Sequence, residues 1–491
     1  AVEVISEFPF FSFLLGDNHP HVYALPFGTL ALALSLNVLR VAWLRIDDAG
    51  QRTVGATRRL LAGVLAGATL WDWAAWAVLL GALGFYNTWD LPVHLVIFIC
   101  AAALGLWRRR ESTAGWLTQV LTLGVILGAG CILLYLPFYW GLRTQAGGLG
   151  LVTAKTQVQQ YALMFGALLW PLFGAMAVAA FSSRRAANTP LGLTGVVFLA
   201  GLTVGAALLS WWTAAVGLAL SALAVYLLLK RGVLSGEEPP AGLFMWLLVL
   251  AGALLTVAVE FVYLRDVFDT RMNTVFKFYY QAWLLLGVAA AYALYCLADA
   301  PMHGWARVAR GVWLAVSGLL LVGGLSYSLA AGVSKANGFE GIPTLDGERY
   351  LALQQPQAYA AMRWLATQAK PGAVMVEATG GSYTEYAWVS AHSGIPTLLG
   401  WGGHELQWRG SYDIPGAREA DVAAFYKTAD PAELRALAAS YDVDYVWLGP
   451  LERRSYGVTA MVQLALDRAF ERLYENEQVI IYGTGKVRPH E

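Results

Sequence analysis

Four short stretches carry the residue types that could do chemistry. The first is FLLGDNHPHVYALPFG, Phe13 to Gly28, with Asp17, His19 and His21 at two-residue spacing. Such a triplet converges on one cation if the segment is extended or turned, and Pro20 disfavours a regular helix through His19. The carboxylate would favour a hard divalent ion such as Mg or Mn, the imidazoles a transition metal. Alternatively, Asp17 or a histidine acts as general base on an incoming hydroxyl. The bland alternative is a capping loop, in which Asp17 or Asn18 closes the next helix. The second stretch is YNTWDLPVH, Tyr86 to His94. Its Asn87 and Asp90 are candidate substrate contacts, against a plain tight turn with an interfacial Trp89. Upstream, Asp72 sits in an apolar run, where a charge costs at least a few kcal/mol. It should face a cavity or a partner, or be protonated.

The third stretch is VEFVYLRDVFDTRMNTVFKFYYQAW, Val259 to Trp283. It crowds Glu260, Arg265, Asp266, Asp269, Arg271, Asn273 and Lys277 at one membrane boundary. Asp266, Asp269 and Asn273 are expected on one helical face. Arg271 could hold a phosphate or pyrophosphate in bidentate fashion, and Lys277 as a point charge. The alternative is a salt-bridged juxtamembrane loop. The fourth is LLGWGGHELQWRG, Leu398 to Gly410. Trp401, His404, Glu405, Trp408 and Arg409 have the chemistry of a sugar or headgroup site, against a merely structured loop. HELQWR lacks the second histidine of a zinc-protease motif. No nucleophile elbow, phosphate-binding loop or dinucleotide fingerprint occurs.

The elements that must position these residues are mostly membrane helices. Only 13% of the 491 residues are charged and 58% are hydrophobic, against about 25% charged in an ordinary soluble protein. Apolar windows long enough for a bilayer core of roughly 30 Å have cores near 23–43, 61–85, 91–107, 116–137, 160–181, 191–209, 213–229, 242–262, 275–297 and 312–332. Alternate loops gather Arg and Lys: Arg45 to Arg59, Arg108 to Arg110, Arg184 and Arg185, Lys230 and Arg231, Arg307 and Arg310. By the positive-inside rule, Asp17, His19, His21 and the C-terminal region face the extracytoplasmic side. Lys plus Arg equals Asp plus Glu, so nothing draws the chain toward nucleic acid. Cys100, Cys131 and Cys296 lie in apolar runs and read as small hydrophobes. The chain opens on Ala beside a polar motif, so residues are expected upstream.

Beyond about Ser334 helical and strand patterns alternate. AYAAMRWLATQA, PAELRALAASYD and VTAMVQLALDRAF read as helices; AVMVEAT, VDYVWLGP and EQVIIYGTG read as strands. The expected architecture is a polytopic α-helical membrane protein of about ten spans (1–333) with a C-terminal extracytoplasmic α/β domain (334–491).

FLLGDNHPHVYALPF, NTWDLP, TRMNTVFKFYYQAW, SAHSGIPTLLGWGGHELQWRG and VDYVWLGPLER together resemble the YYY-type membrane proteins of Chloroflexi and archaea. That family has unknown function and is grouped with the GT-C glycosyltransferase superfamily. The resemblance implies a bundle with an acidic residue in the first external loop, a position Asp17 takes, although DNHPH departs from the usual paired acids. A helix normally precedes that loop. It also implies a polyprenyl-phosphate-linked sugar donor and a glycan or protein acceptor. In that scheme Arg271 and Lys277, with Arg265, hold the leaving phosphate. Asp17, aided by His19 or His21, activates the acceptor or binds the cation. The Trp401–Arg409 region closes the cavity or recognises the acceptor. Two competitors stand beside it: a non-catalytic subunit with partners in a membrane or envelope complex, and a transporter suggested by Asp72 and Glu260. No inverted repeat supports the transporter.

Overall fold

The computed structural model describes residues 8–16, 19–44, 68–107, 110, 112–142, 146–182, 190–234, 236, 238–266 and 269–485. Two compact units divide the chain, Ala1–Glu340 and Gly341–Glu491. Asp17 and Asn18 lie outside the described residues, as do Arg45 to Arg59, Arg108, Arg109, Arg184 and Arg185 of the basic loops.

The first unit is a helical bundle. Its elements in order are α1 (Phe10–Leu15), α2 (Pro20–Leu44), α3 (Leu70–Tyr86), α4 (Asp90–Trp107), α5 (Thr113–Leu133), α6 (Leu136–Gly141), β1 (Leu149–Leu151), α7 (Val158–Ser182), α8 (Pro190–Leu208), α9 (Trp212–Leu227), α10 (Pro240–Phe261), β2 (Val262–Leu264), α11 (Met272–Asp299) and α12 (Gly304–Lys335). Among the described residues eight helices are long and apolar enough to cross a membrane, and α3 and the 197–208 part of α8 are shorter apolar helices. The protein is a polytopic α-helical membrane protein. At 1.5 Å per residue, a spanning helix needs about 20 residues, which α2, α7, α10 and α11 exceed.

Helices this apolar all round are sorted by packing, not by a polar face. α2 lies along α4, α10 along α11, and α9 along α8 and α10. Phe165, Leu172, Trp246, Leu248 and Leu285 fill one core; Leu80, Leu83 and Phe98 fill a second. α12 turns Leu319, Val322, Leu325 and Leu329 outward, as a lipid-facing helix does.

Two expectations change here. α3 begins at Leu70, later than the expected span, whose residues 61–67 lie outside the described residues. Thr69 caps α3: its hydroxyl accepts from the Asp72 N–H at 3.2 Å, and Asp72 accepts from the Thr69 N–H at 2.6 Å. Asp72 therefore sits in the first turn as half of a capping box, exposed, with no charge to hide in mid-membrane. Nor do Asp266, Asp269 and Asn273 share a helical face. β2 pairs antiparallel with β1, Gly150 opposite Tyr263, so the chain is extended before Asp266. Asp269 has φ +43°, and only Asn273 lies within α11.

The second unit holds α13 (Arg349–Gln354), α14 (Pro356–Gln368), β3 (Met375–Val376), α15 (Trp388–Ser393), α16 (Gly402–Arg409), α17 (Asp413–Phe425), α18 (Pro431–Ser440), β4 (Tyr445–Leu448), α19 (Pro450–Tyr456), α20 (Ala460–Ala469), β5 (Glu471–Glu475) and β6 (Ile480–Gly483). The sheet order is β3-β4-β6-β5. β3 and β4 run parallel; β6 is antiparallel to both its neighbours. Residues 397–401 add a parallel edge, with bridges from Thr397 to Met375 and Trp401 to Gly380. Val376, Val446, Leu448, Phe425 and Tyr482 form its core. Within the stretch Leu398 to Gly410, for which a structured loop was the alternative to a site, Gly402–Arg409 is a helix.

Candidate functional site

Three of the four stretches meet in the first unit. His19 precedes α2 and His21 lies in its first turn; their rings are parallel with centroids 4.8 Å apart. Phe276 of α11 sets its edge against both, at 5.4 and 5.0 Å, and Tyr280 lies 5.3 Å from His21. Behind them runs a buried polar chain. Asn87 Nδ2 is 2.7 Å from His21 Nδ1 and donates to Asp90 Oδ1 at 2.7 Å. The Asp90 carboxylate fixes which way the Asn87 amide points. The amide then fixes His21 Nδ1 as an acceptor, with the ring proton on Nε2.

One helical turn along α4 from Asp90, on the same face, His94 Nε2 donates to Gln281 Oε1 of α11 at 3.1 Å. Gly28 makes this fit possible: a Cβ there would stand 3.1 Å from His94 Nε2. Asp90 and His94 are 1% and 0% exposed. The Gln281 side chain also acts on the Asp90 carboxyl as a hydrogen-bond donor, although Asp90 Oδ2, like His94 Nδ1, has no partner in good hydrogen-bond geometry. Two buried acceptors one helical turn apart are thus incompletely met.

Lys277 borders this chain. Its ammonium lies 5.0 Å from the centre of the Trp89 ring and acts on His21 through its charge. The acid it feels is Asp266, which accepts from Asn273 Nδ2 at 2.6 Å.

Both terminal nitrogens of Arg271 are engaged within the fold, and only its buried Nε lacks a partner. Its Nη1 donates to Glu260 Oε1 at 3.0 Å and to the Val259 carbonyl at 3.1 Å, and its Nη2 to Thr156 Oγ1 at 3.0 Å. Glu260 in turn accepts from the Thr156 N–H at 3.0 Å. Arg271 and Glu260 are both buried, so the guanidinium neutralises the one acid of α10 and ties the start of α11 to it. Asp269 accepts from the Tyr263 hydroxyl at 3.1 Å. Among the described residues no group of three His, Cys, Asp or Glu could hold a metal ion; the proposed triplet includes Asp17, outside those residues.

Sequence reasoning placed His94 in its stretch without giving it a role, and it missed Gln281. Both had a signal: each stands four residues after a flagged polar residue, Asp90 or Lys277, inside an otherwise apolar helix.

The fourth stretch lies in the second unit. Tyr383, Trp401 and His404 pack their rings together at 4.9 to 5.3 Å, and the Tyr383 hydroxyl lies 2.8 Å from His404 Nε2. Glu405 pairs with Arg409 at 2.6 Å, one turn apart on α16, and Trp408 is exposed. Beneath, Glu377 and Glu452 are buried. Glu377 accepts from the N–H groups of Val389 and Ser390 at 3.0 and 2.9 Å, Glu452 from those of Ala378 and Gly449 at 2.8 and 2.9 Å. Burial pushes the Glu377 carboxyl up to about 8, helped by the Glu452 charge and opposed by the two N–H groups. Burial also raises Glu452.

A family model described as an uncharacterized membrane protein, DUF2298, matches residues 2–286. The chain belongs to the DUF2298 family. The matched range contains all three polar stretches of the bundle and none of the second unit. Among curated proteins none matches this DUF2298 protein. Among solved structures, the archaeal oligosaccharyltransferase AglB from Archaeoglobus fulgidus, in complex with an inhibitory peptide and a dolichol-phosphate, is similar at 13% identity and a TM-score of 0.29. The alignment covers 96% of this chain and 57% of that one, so the chain spans little more than half of its length. At that TM-score no feature of the enzyme is carried over.

Proposed function

We propose that this DUF2298 protein is a membrane glycosyltransferase of the GT-C type, related to the YYY-type proteins whose motifs it shares. Its donor would be a polyprenyl-phosphate-linked sugar and its acceptor an extracytoplasmic glycan or protein. The observation that carries the reading is the buried polar chain from His21 through Asn87 to Asp90, with Asp90 Oδ2 and His94 Nδ1 lacking a partner in hydrogen-bond geometry and the Lys277 charge acting on His21 at its outer end. A buried polar atom without a partner costs about 1–3 kcal/mol. Two such atoms one helical turn apart on α4 suit a site that a substrate hydroxyl or its bound water completes.

The chemistry divides among these residues. The bond from the anomeric carbon to the phosphate oxygen breaks as the acceptor oxygen bonds to that carbon. Asp90 takes the acceptor proton, with Asn87 and His21 holding the carboxylate in place. Lys277 offsets the charge that builds on the leaving phosphate. Arg271 holds the fold instead of the phosphate. Asp17 with His19 would be the position for a divalent cation, Mg or Mn; His21, named with them from the sequence, offers no lone pair while Asn87 occupies its Nδ1 and the proton sits on Nε2.

The test is transfer of radiolabelled sugar from a polyprenyl-phosphate donor in membranes carrying the full chain. Asp90→Asn and Lys277→Ala should each lower transfer by about 100-fold or more, with unchanged protein levels. Full transfer by Asp90→Asn would show that the base is elsewhere, and Asp17→Asn is then the variant to measure.

A further inference from the structure

We propose that the face of the second unit formed by Tyr383, Trp401 and His404 binds a neutral saccharide. This site is independent of the transfer reaction proposed for the bundle.

The first argument is position. In open α/β sheets ligands bind outside the carboxyl ends of parallel strands. Three parallel segments end together here: β3 runs on to Gly380, the 397–401 edge ends at Trp401, and β4 ends at Gly449. The loops beyond the first two touch, since a Cβ on Gly403 would stand 3.0 Å from Ser382 Oγ.

The second argument is the surface presented there. Tyr383 is 81% exposed although it is a large aromatic residue. Its backbone has φ +60°, a left-handed conformation that is strained for a non-glycine residue. The chain accepts that strain and turns the ring outward, against Trp401 and His404. The result is an aromatic platform edged by a hydroxyl and an imidazole.

The third argument is charge. Both neighbouring guanidiniums are already paired, Arg409 with Glu405 at 2.6 Å and Arg454 with Glu385 at 2.5 Å. With both guanidiniums neutralised, the described residues at this face favour an uncharged ligand over a phosphate or carboxylate. A pyranose has one apolar C–H face and a rim of hydroxyls that donate and accept. Such a ligand matches an aromatic face ringed by neutral hydroxyls and internally balanced ion pairs.

Saturation-transfer difference NMR on the full chain in nanodiscs tests this, with maltotriose, mannotriose and chitotriose as separate probes. At least one should receive saturation on its ring C–H protons, and Tyr383→Ala should weaken its binding at least tenfold. His404→Ala provides a second variant, and Arg472→Ala, at a solvent-facing pair outside the platform, should bind as the unmodified protein does. No transfer to any of the three sugars, or transfer untouched by both Tyr383→Ala and His404→Ala, overturns the proposal. Transfer to the peptide Ala-Tyr-Ala alone overturns it in favour of a peptide site.

Discussion

Two sets of buried carboxylates divide the molecule. In the second unit each oxygen of Glu377 and Glu452 meets a backbone N–H, and these bonds tie α15, β3 and the start of α19 together. In the bundle Asp90 is just as buried, yet one of its oxygens has no partner in good hydrogen-bond geometry, and the same holds for His94 Nδ1 one turn on. Burial alone therefore does not mark a site. Arg271 of the expected phosphate clamp makes the same point within the bundle: its two terminal nitrogens are taken by Glu260, Val259 and Thr156, and its buried Nε alone has no partner.

Breaking a closed pair should be a stability effect. Arg271→Ala strands Glu260 without its partner and is expected to cost about 3–5 kcal/mol, read as lost thermal stability in detergent. A variant that loses transfer while keeping its melting temperature would return Arg271 to the site. Next comes Glu452→Ala, which orphans the Ala378 and Gly449 N–H groups. At about 1–3 kcal/mol for each unmet group, the second unit should unfold at clearly lower denaturant concentration. Asp90→Asn should instead leave the midpoint close to that of the unmodified protein, which sharpens the contrast.

A smaller effect is graded by pH. The folded carboxyl of Glu377 titrates at about 8, above its ordinary value of 4.5. The folded state keeps a proton that the unfolded chain releases between those values. Its contribution to stability is complete below about 4.5 and is lost as pH rises through about 8. Melting of the second unit should fall across that window, and Glu377→Gln should flatten the dependence. The smallest effect belongs to the solvent-facing pair of Arg472 and Asp467, 2.7 Å apart. Arg472→Ala should cost less than about 1 kcal/mol by denaturant titration.

The bundle was legible because excluding charge from about 20 residues is a requirement of the bilayer, and it leaves the same trace wherever it applies. Helices and strands of the second unit that bury one face were legible too, from AYAAMRWLATQA to EQVIIYGTG. β5 was not: ERLYE is an exposed edge strand, so burial imposed no pattern on it. Asn87, Asp90 and Lys277 could be flagged as polar residues in apolar surroundings. What they touch could not, because the contacts from His21 to Asn87 and from His94 to Gln281 join residues 66 and 187 positions apart. The Arg271 ion pair was hidden for the same reason. Its acid lies eleven residues upstream across a strand, a pairing that a helical reading of the loop conceals.

The strand order of the second unit also bears on how the protein is made. β6 is the last of its strands in sequence, yet it lies between β4 and β5. While Ile480–Gly483 is still inside the ribosome, β4 has no partner on that side, and its N–H and C=O groups are free to pair with another chain. The sheet can close only when synthesis has passed Gly483. A slow codon or a pause shortly before that point would therefore lengthen exposure of an open strand, and it would act on yield while the finished protein stayed unchanged.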